Sequence, residues 1–326
     1  MTLLSVTKPP IGLPTVVKVI PYALVPALYG LGLVTISGYG RHSSLASLLV
    51  LTSLLGLASV GQTLTMILGG IDLSIPSVIG LADVAITQLY GRGWSFWAAF
   101  VLILAVAGVV GAVNALLAVG LRVHPLVITL GTGAIVLGGV LTWTHGQNTG
   151  TVPGWLVQAV STAGRTGPIP LPVIVFVWIA VSVLVIAFQR RTRLGRETYA
   201  AGANIVAARL TLVRTTRVWV AAYVLSALLA AVTGVLLAGF SGAANSSVGQ
   251  PYLFETITAV VIGGTSLLGG SGGYGRTITG ALIISQLTTL LIGAGLDTNM
   301  QEAFLGVLVI LLVALYGREA HISTRI

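Results

Sequence analysis

The chain contains no cysteine, which excludes disulfides, thiol nucleophiles and thiolate metal centres. Charge is almost as scarce. Seven acidic and sixteen basic side chains make up 7% of 326 residues, against about a quarter in a soluble domain, so a water-soluble globule is excluded. No glycine-rich phosphate loop ending in Lys-Ser or Lys-Thr occurs, nor His-Glu-x-x-His, and His42, His124, His145 and His321 are scattered at segment ends. Neither nucleotide hydrolysis nor a protein-bound metal therefore has a motif to rest on. The N-terminal stretch lacks a small-residue cleavage site after a short apolar core, and 1–15 reads as a cytoplasmic lead-in.

What the chain has instead is hydrocarbon: 56% hydrophobic residues and a mean hydropathy of +1.02. Apolar runs cover Val16–Ile36, Leu45–Leu68, Ile75–Tyr90, Trp94–Val119, Pro125–Trp143, Leu171–Phe188, Val218–Phe240, Leu253–Leu268, Thr277–Ala294 and Ala303–Leu315. Most have the length a helix needs to cross a bilayer, whereas barrel strands would be shorter and alternate in polarity. The expected fold is an all-α, polytopic transmembrane bundle forming one domain over 1–326, with about ten spans. The runs starting at Ile75, Leu253 and Ala303 are short and predict tilted, broken or re-entrant helices. Forty-two glycines suit helices that approach one another through small residues.

Basic residues orient the chain. With the N-terminus inside and ten crossings, Lys8, Lys18, Arg122, Arg190, Arg191, Arg193, Arg196, Arg209, Arg214, Arg217, Arg276, Arg318 and Arg325 are cytoplasmic, and only Arg41, Arg92 and Arg165 fall outside. This positive-inside bias predicts both termini in the cytoplasm. It also removes nucleic acid as a reading of the net charge of +9, because the arginines sit in short loops between apolar runs. Seven of them crowd into Gln189–Arg217, a cytoplasmic loop opposed only by Glu197. The long loop on the other side, 144–170, is rich in glycine and proline, with Trp143 just before it and Trp155 within it suited to the membrane interface.

Acids within apolar runs point to cavities or partners, because a carboxylate in hydrocarbon is costly. Asp72 lies in Gly69-Gly70-Ile71-Asp72-Leu73-Ser74, before Pro76 and a short run. Two glycines free the backbone, Asp72 or Ser74 can cap the next helix, and Pro76 suits its first turn. A broken helix is expected there. Asp83, eleven residues on, would share a face with Asp72 if the helix reached back that far; Glu255 is the third such acid. A second cluster, from Gly263 to Gly273, echoes the first through a Gly-Gly-x-x-Leu core, as paired breaks do in transporters built from internal repeats.

Four ordered stretches resemble one family, the membrane-spanning permease of bacterial ABC importers for ribose, xylose, galactose and arabinose, within the group that includes branched-chain amino-acid permeases. Gly69–Ser74 is close to a signature of the sugar branch, with Pro76 where glycine is usual. Val123-His124-Pro125-Leu126-Val127-Ile128-Thr129-Leu130-Gly131-Thr132 is similar to the family's Val-Pro-Pro-Phe-x-x-Thr-Leu-Gly-Thr. Ala259–Leu267 is the third, preceded by Tyr252–Glu255. The fourth is Gly195, Tyr199–Asn204 and Ala207–Thr211, in which Gly-x-Asn-x-x-Ala-Ala-Arg stands intact as Gly202–Arg209. It resembles the cytoplasmic loop that engages the ATPase.

The resemblance implies a permease subunit of an ATP-driven importer in the bacterial inner membrane. This chain would bind no cofactor, with ATP and Mg on a partner ATPase. Its other partners would be a periplasmic sugar-binding protein, a second permease copy or paralogue, the sugar and membrane lipid. Gly202, Asn204, Ala207, Ala208, Arg209 and Leu212 are the expected coupling residues. Locally, Asn204 would cap a short helix reaching about Leu212, Gly202 would let the chain turn before it, and Ile205, Ala208 and Leu212 would face a partner's groove. Asp72, Ser74, Asn114, Thr129, Thr132, Glu255, Gly263, Gly264, Thr265 and Ser266 are expected at the path or gate, where uncharged polar groups suit a hydroxylated solute. The competing reading is a secondary transporter driven by an ion gradient through Asp72, Asp83 or Glu255; a passive channel is the third.

Overall fold

The structure, a computed structural model, describes the backbone of residues 13–121 and 123–323 and the surroundings of side chains from 20 to 311 except 122. The lead-in 1–12, Arg122 and the end of the chain, with Arg325, lie outside the described residues. The described elements are helical: α1 (Leu13–Thr35), α2 (His42–Ile67), α3 (Ile75–Gly91), α4 (Phe96–Leu121), α5 (Pro125–Thr144), α6 (Gly154–Val160), α7 (Val173–Arg191), α8 (Arg193–Ala203), α9 (Ile205–Leu210), α10 (Thr215–Ser241), α11 (Tyr252–Ile262), α12 (Tyr274–Gly293) and α13 (Thr298–Ser323). Six of these, α2, α4, α5, α7, α10 and α12, are long and apolar enough to cross a membrane.

Two of the expected short runs are short helices, α3 with 17 residues and α11 with 11. The third is not, because the run from Ala303 belongs to a helix of 26 residues that starts at Thr298. Helix α3 starts only at Ile75, so Asp72 and Asp83 share no helix and the expected common face does not exist. The reason is local: Gly69 adopts φ +79, a left-handed turn that ends α2 and is cheap only for glycine.

Helices α2 and α10 form the centre. Every α2 residue from Thr52 to Ile67 is buried, and α2 lies on α10 so closely that a Cβ at Gly61 would come within 2.6 Å of the Ser226 Cα. Small residues replace hydrophobic contrast as the means of holding such helices together. Around this pair α3 and α4 contact α10, while α11 and α12 contact α2. Helix α6 rests on the far end of α10, with Leu156 and Val160 buried against Gly239. The loop 144–170 is thus partly a packed helix, and Trp155 stacks on Trp97 with centroids 6.0 Å apart.

Outward faces are apolar. Val101, Val109, Ile135, Val183 and Leu184 are all more than 60% exposed, a surface that suits lipid and not water.

Candidate functional site: the coupling segment and two glycine breaks

Helix α8 begins at Thr192, whose hydroxyl accepts from the Gly195 amide at 3.0 Å. Its inner face, Gly195, Thr198 and Ala201, is buried, while Arg193 and Arg196 stand in solvent and Arg193 pairs with Glu197 at 2.7 Å. Asn204 then breaks the helix with an extended backbone and caps the next, its Oδ1 accepting from the Val206 and Ala207 amides at 3.0 Å each. The cap expected at Asn204 is present.

Three other local expectations need correcting. Gly202 makes no turn; it is helical and serves close approach. A Cβ there would lie 2.9 Å from the Gly270 amide nitrogen and the Ile67 carbonyl carbon, with the Ile67 oxygen nearer still. Helix α9 stops at Leu210, and Leu212 follows in a left-handed conformation at φ +62. Nor do Ile205, Ala208 and Leu212 form the free face. Ala208 is buried in this chain's own core, and the exposed apolar residues are Val206 at 63%, Leu210 at 81% and Leu212 at 85%. One six-residue helix anchored through Ala208 must present its opposite side. Ala207 and Arg209 are also exposed, and Arg209 Nε donates to Thr215 Oγ1 at 3.2 Å.

Beneath α8 the two glycine clusters meet. The Gly270 amide donates to the Ile67 carbonyl at 2.8 Å, and a Cβ at Gly269 would lie 2.9 Å from the Gly69 nitrogen. Tyr199 of α8 reaches across, its hydroxyl donating to the Gly272 carbonyl at 3.2 Å. Burial raises the Tyr199 phenol above its ordinary value, against a smaller opposing pull from Arg276 and Arg190, so it stays protonated as the donor. At the foot of α7, Gln189 Oε1 accepts from the Tyr274 amide at 3.0 Å. The chain from Gly263 to Gly273 is itself shaped by Thr265, which accepts from the Gly273 amide at 3.3 Å, and by Ser266, whose amide donates to Ser271 at 3.2 Å. Gly264 takes φ +75 there.

A second cluster holds the α2–α3 break from the other side. Asp72 Oδ1 accepts from the Ser74 amide at 3.0 Å and hydroxyl at 2.6 Å, and Oδ2 accepts from Ser226 at 2.7 Å. Asn114 donates to Ser74 Oγ at 2.9 Å and accepts from Thr132 at 2.5 Å. Thr129 accepts from the Leu73 amide at 3.0 Å and donates to the Ile71 carbonyl at 3.3 Å. Five of the path candidates, Asp72, Ser74, Asn114, Thr129 and Thr132, therefore form one network tying the break to α4, α5 and α10. Neither Asp72 nor Ser74 caps α3 as expected: the Ser74 side chain makes no capping bond, and Asp72 serves Ser74 and Ser226 instead. Glu255 stands apart in α11, accepting from Thr288 at 3.4 Å. Asp83 also stands apart, its Oδ1 accepting from the Asn245 amide at 2.7 Å.

Sequence reading singled out neither Ser226 nor Ile67, both unremarkable members of apolar helices. Tyr199 lies inside the Tyr199–Asn204 motif, which gives it no individual role, and the signal for Gln189 is a lone amide ending an apolar run.

A family model described as the permease component of a branched-chain amino acid transport system matches residues 44–313. The chain belongs to that permease family. Relatives extend over most of it: the autoinducer 2 import system permease protein LsrC of Enterobacter sp. (strain 638) is 30% identical over 304 residues, covering 93% of this chain and 88% of its own. LsrD of Photorhabdus luminescens is 31% identical over 271 residues, covering 81% and 80%, and LsrC of Klebsiella pneumoniae subsp. pneumoniae is 32% identical over 275, covering 84% and 79%. No solved structure matches the chain. The permease is accordingly a membrane-embedded subunit of an ABC importer in the inner membrane, a transport component, and membership favours that reading over the ion-driven one.

Proposed function

We propose that this permease carries a monosaccharide or similar polyhydroxylated solute inward, powered by a separate ATPase subunit that docks on α8 and α9. Ten crossings, with both termini cytoplasmic, accommodate the six long helices together with α1, α3, α11 and α13, and put α8, α9 and the seven exposed arginines of 189–217 in the cytoplasm. A second permease copy or paralogue completes the path, and a periplasmic binding protein delivers solute from the other side. Autoinducer 2 is one solute to test, since the relatives are named for its import.

The observation that carries the reading is the seat of Gly202 on both breaks at once. Val206, Leu210 and Leu212 offer the ATPase an apolar contact with Arg209 beside it, while the inner side of the same segment touches Ile67, Gly270 and Gly272. A movement of α8 and α9 is thereby passed to the α2–α3 break and the α11–α12 link together. The Asp72 network fixes the far side of the first break, giving the motion a pivot; Gly263, Gly264, Thr265 and Ser266 give the second link its shape.

Purification of tagged protein from its native host in mild detergent tests the reading. An ATPase subunit is expected to copurify with the parent chain and to be lost from Arg209→Glu. Absence of any ATPase from the parent preparation, or uptake in vesicles that persists without ATP and collapses with an uncoupler, would contradict it.

A further inference from the structure

The link between α10 and α11, residues 242–251, does not stay at the membrane surface. From the end of α10 it runs down along α3. The Asn245 amide donates to Asp83 Oδ1 at 2.7 Å. A Cβ at Gly80 would lie 3.1 Å from the Ser246 carbonyl carbon, and one at Gly249 would lie 2.8 Å from that of Pro76. As the link goes forward, its contacts on α3 go backward from Asp83 to Pro76, a descent of about 10 Å at helical rise. Pro76 follows directly on the Asp72 and Ser74 network, and Ser226, in the middle of α10, bonds Asp72. The link thus reaches mid-depth before α11, only 11 residues long, continues toward the glycine link.

Non-helical backbone at such depth survives only inside protein or beside water, and the link's side chains divide accordingly. Ala244, Ser246 and Gly249 are buried against the bundle, whereas Asn245, Ser247 and Gln250 are exposed. Asn245 Oδ1 accepts from the Ser247 amide at 2.9 Å. The Asn245 side-chain NH2, the Ser247 hydroxyl and the Gln250 side-chain amide hydrogen bond to none of the described residues, while the Gln250 backbone amide donates to the Ser247 carbonyl at 3.0 Å. An exposed amide at this depth is too costly to face lipid.

Resting on the importer reading, we propose that the 242–251 link lines the outer half of the solute path, with Asn245, Ser247 and Gln250 as the groups that touch a hydroxylated solute. Three uncharged donors and acceptors spaced along a descending strip offer the weak, exchangeable hydrogen bonds that let such a solute enter and leave. Asp83 is a positioning residue, holding the top of the strip against α3 through Asn245.

The absence of cysteine makes the test direct. Asn245→Cys, Ser247→Cys and Gln250→Cys, each in the whole importer in spheroplasts, are treated from outside with 2-sulfonatoethyl methanethiosulfonate, a membrane-impermeant anion. Ser246→Cys, buried, and Ile135→Cys, 74% exposed on the apolar outer face of α5, are the comparators. All three strip positions are expected to react at least about tenfold faster than either comparator, because only a hydrated thiol ionises to the reactive thiolate. Reaction at Ser247→Cys is further expected to stop uptake, assayed with ribose and with autoinducer 2. Strip cysteines no faster than Ile135→Cys would overturn the proposal, as would full modification with uptake unchanged. Failure of the importer reading is separate: it shows as uptake independent of ATP, whatever the labelling pattern.

Discussion

The amide of Gly270 donates a 2.8 Å hydrogen bond to the carbonyl of Ile67, joining two glycine-rich interruptions about two hundred residues apart in a chain of 326. The Ile67 carbonyl has no next helical turn to serve, because Gly69 ends α2, and the Gly270 amide is likewise outside any helix. Each satisfies the other's free backbone group in a place where water is scarce. Gly202 lies on top of this bond.

Gly202→Ala would push a methyl group into backbone at Ile67 and Gly270, and backbone cannot swing aside as a flexible side chain can. A loss of roughly 1–3 kcal/mol is expected from overpacking. Thermal unfolding of the purified protein measures it, with Ala203→Gly as a neighbouring control that adds no volume.

Asn204→Ala removes the acceptor for the Val206 and Ala207 amides. A cap of this kind contributes about 1 kcal/mol, and a six-residue helix has little else of its own. Faster amide exchange across Ile205–Leu210, with α10 unchanged, is the expected result; uniform exchange across both would count against a local role.

Leu210→Asp and Leu212→Asp change residues that are 81% and 85% exposed. Their own chain should fold as before, because neither side chain is part of its core. Binding of the ATPase should weaken at least about tenfold, the loss typical of a central apolar anchor. Copurification yield against that of a surface control such as Val183→Thr reads the difference.

Ser226→Ala leaves Asp72 Oδ2 without its 2.7 Å partner in a site where Asp72 is 2% exposed. An unsatisfied buried acceptor costs about 1–3 kcal/mol, so the melting temperature should fall, and more than in Ser241→Ala at the exposed end of the same helix.

How much of this was legible in the sequence follows from the range of the interactions. Asn204 was readable as a cap because a cap is written within four residues. The break at Gly69 was readable because two glycines before a proline have few uses inside an apolar run. Gly202 was read as a turn, since its backbone neighbours lie in α2 and in the α11–α12 link and no local pattern shows them. The face of α9 was misassigned for the same reason: periodicity groups Ile205, Ala208 and Leu212, but tertiary packing draws Ala208 inward and the helix ends before Leu212. The polarity of 242–251 was visible and fell between two apolar runs; its descent along α3 depends on Gly80, Gly249 and Asp83, which are distant in sequence.

The central claim, that the coupling segment transmits ATP-driven motion to both breaks, is tested most directly by the ratio of solute imported to ATP hydrolysed in proteoliposomes carrying Tyr199→Phe. This change removes only the hydroxyl that holds Gly272 and leaves the docking face of α9 untouched. ATP hydrolysis should continue while the ratio falls severalfold. A ratio equal to that of the parent protein would contradict the account.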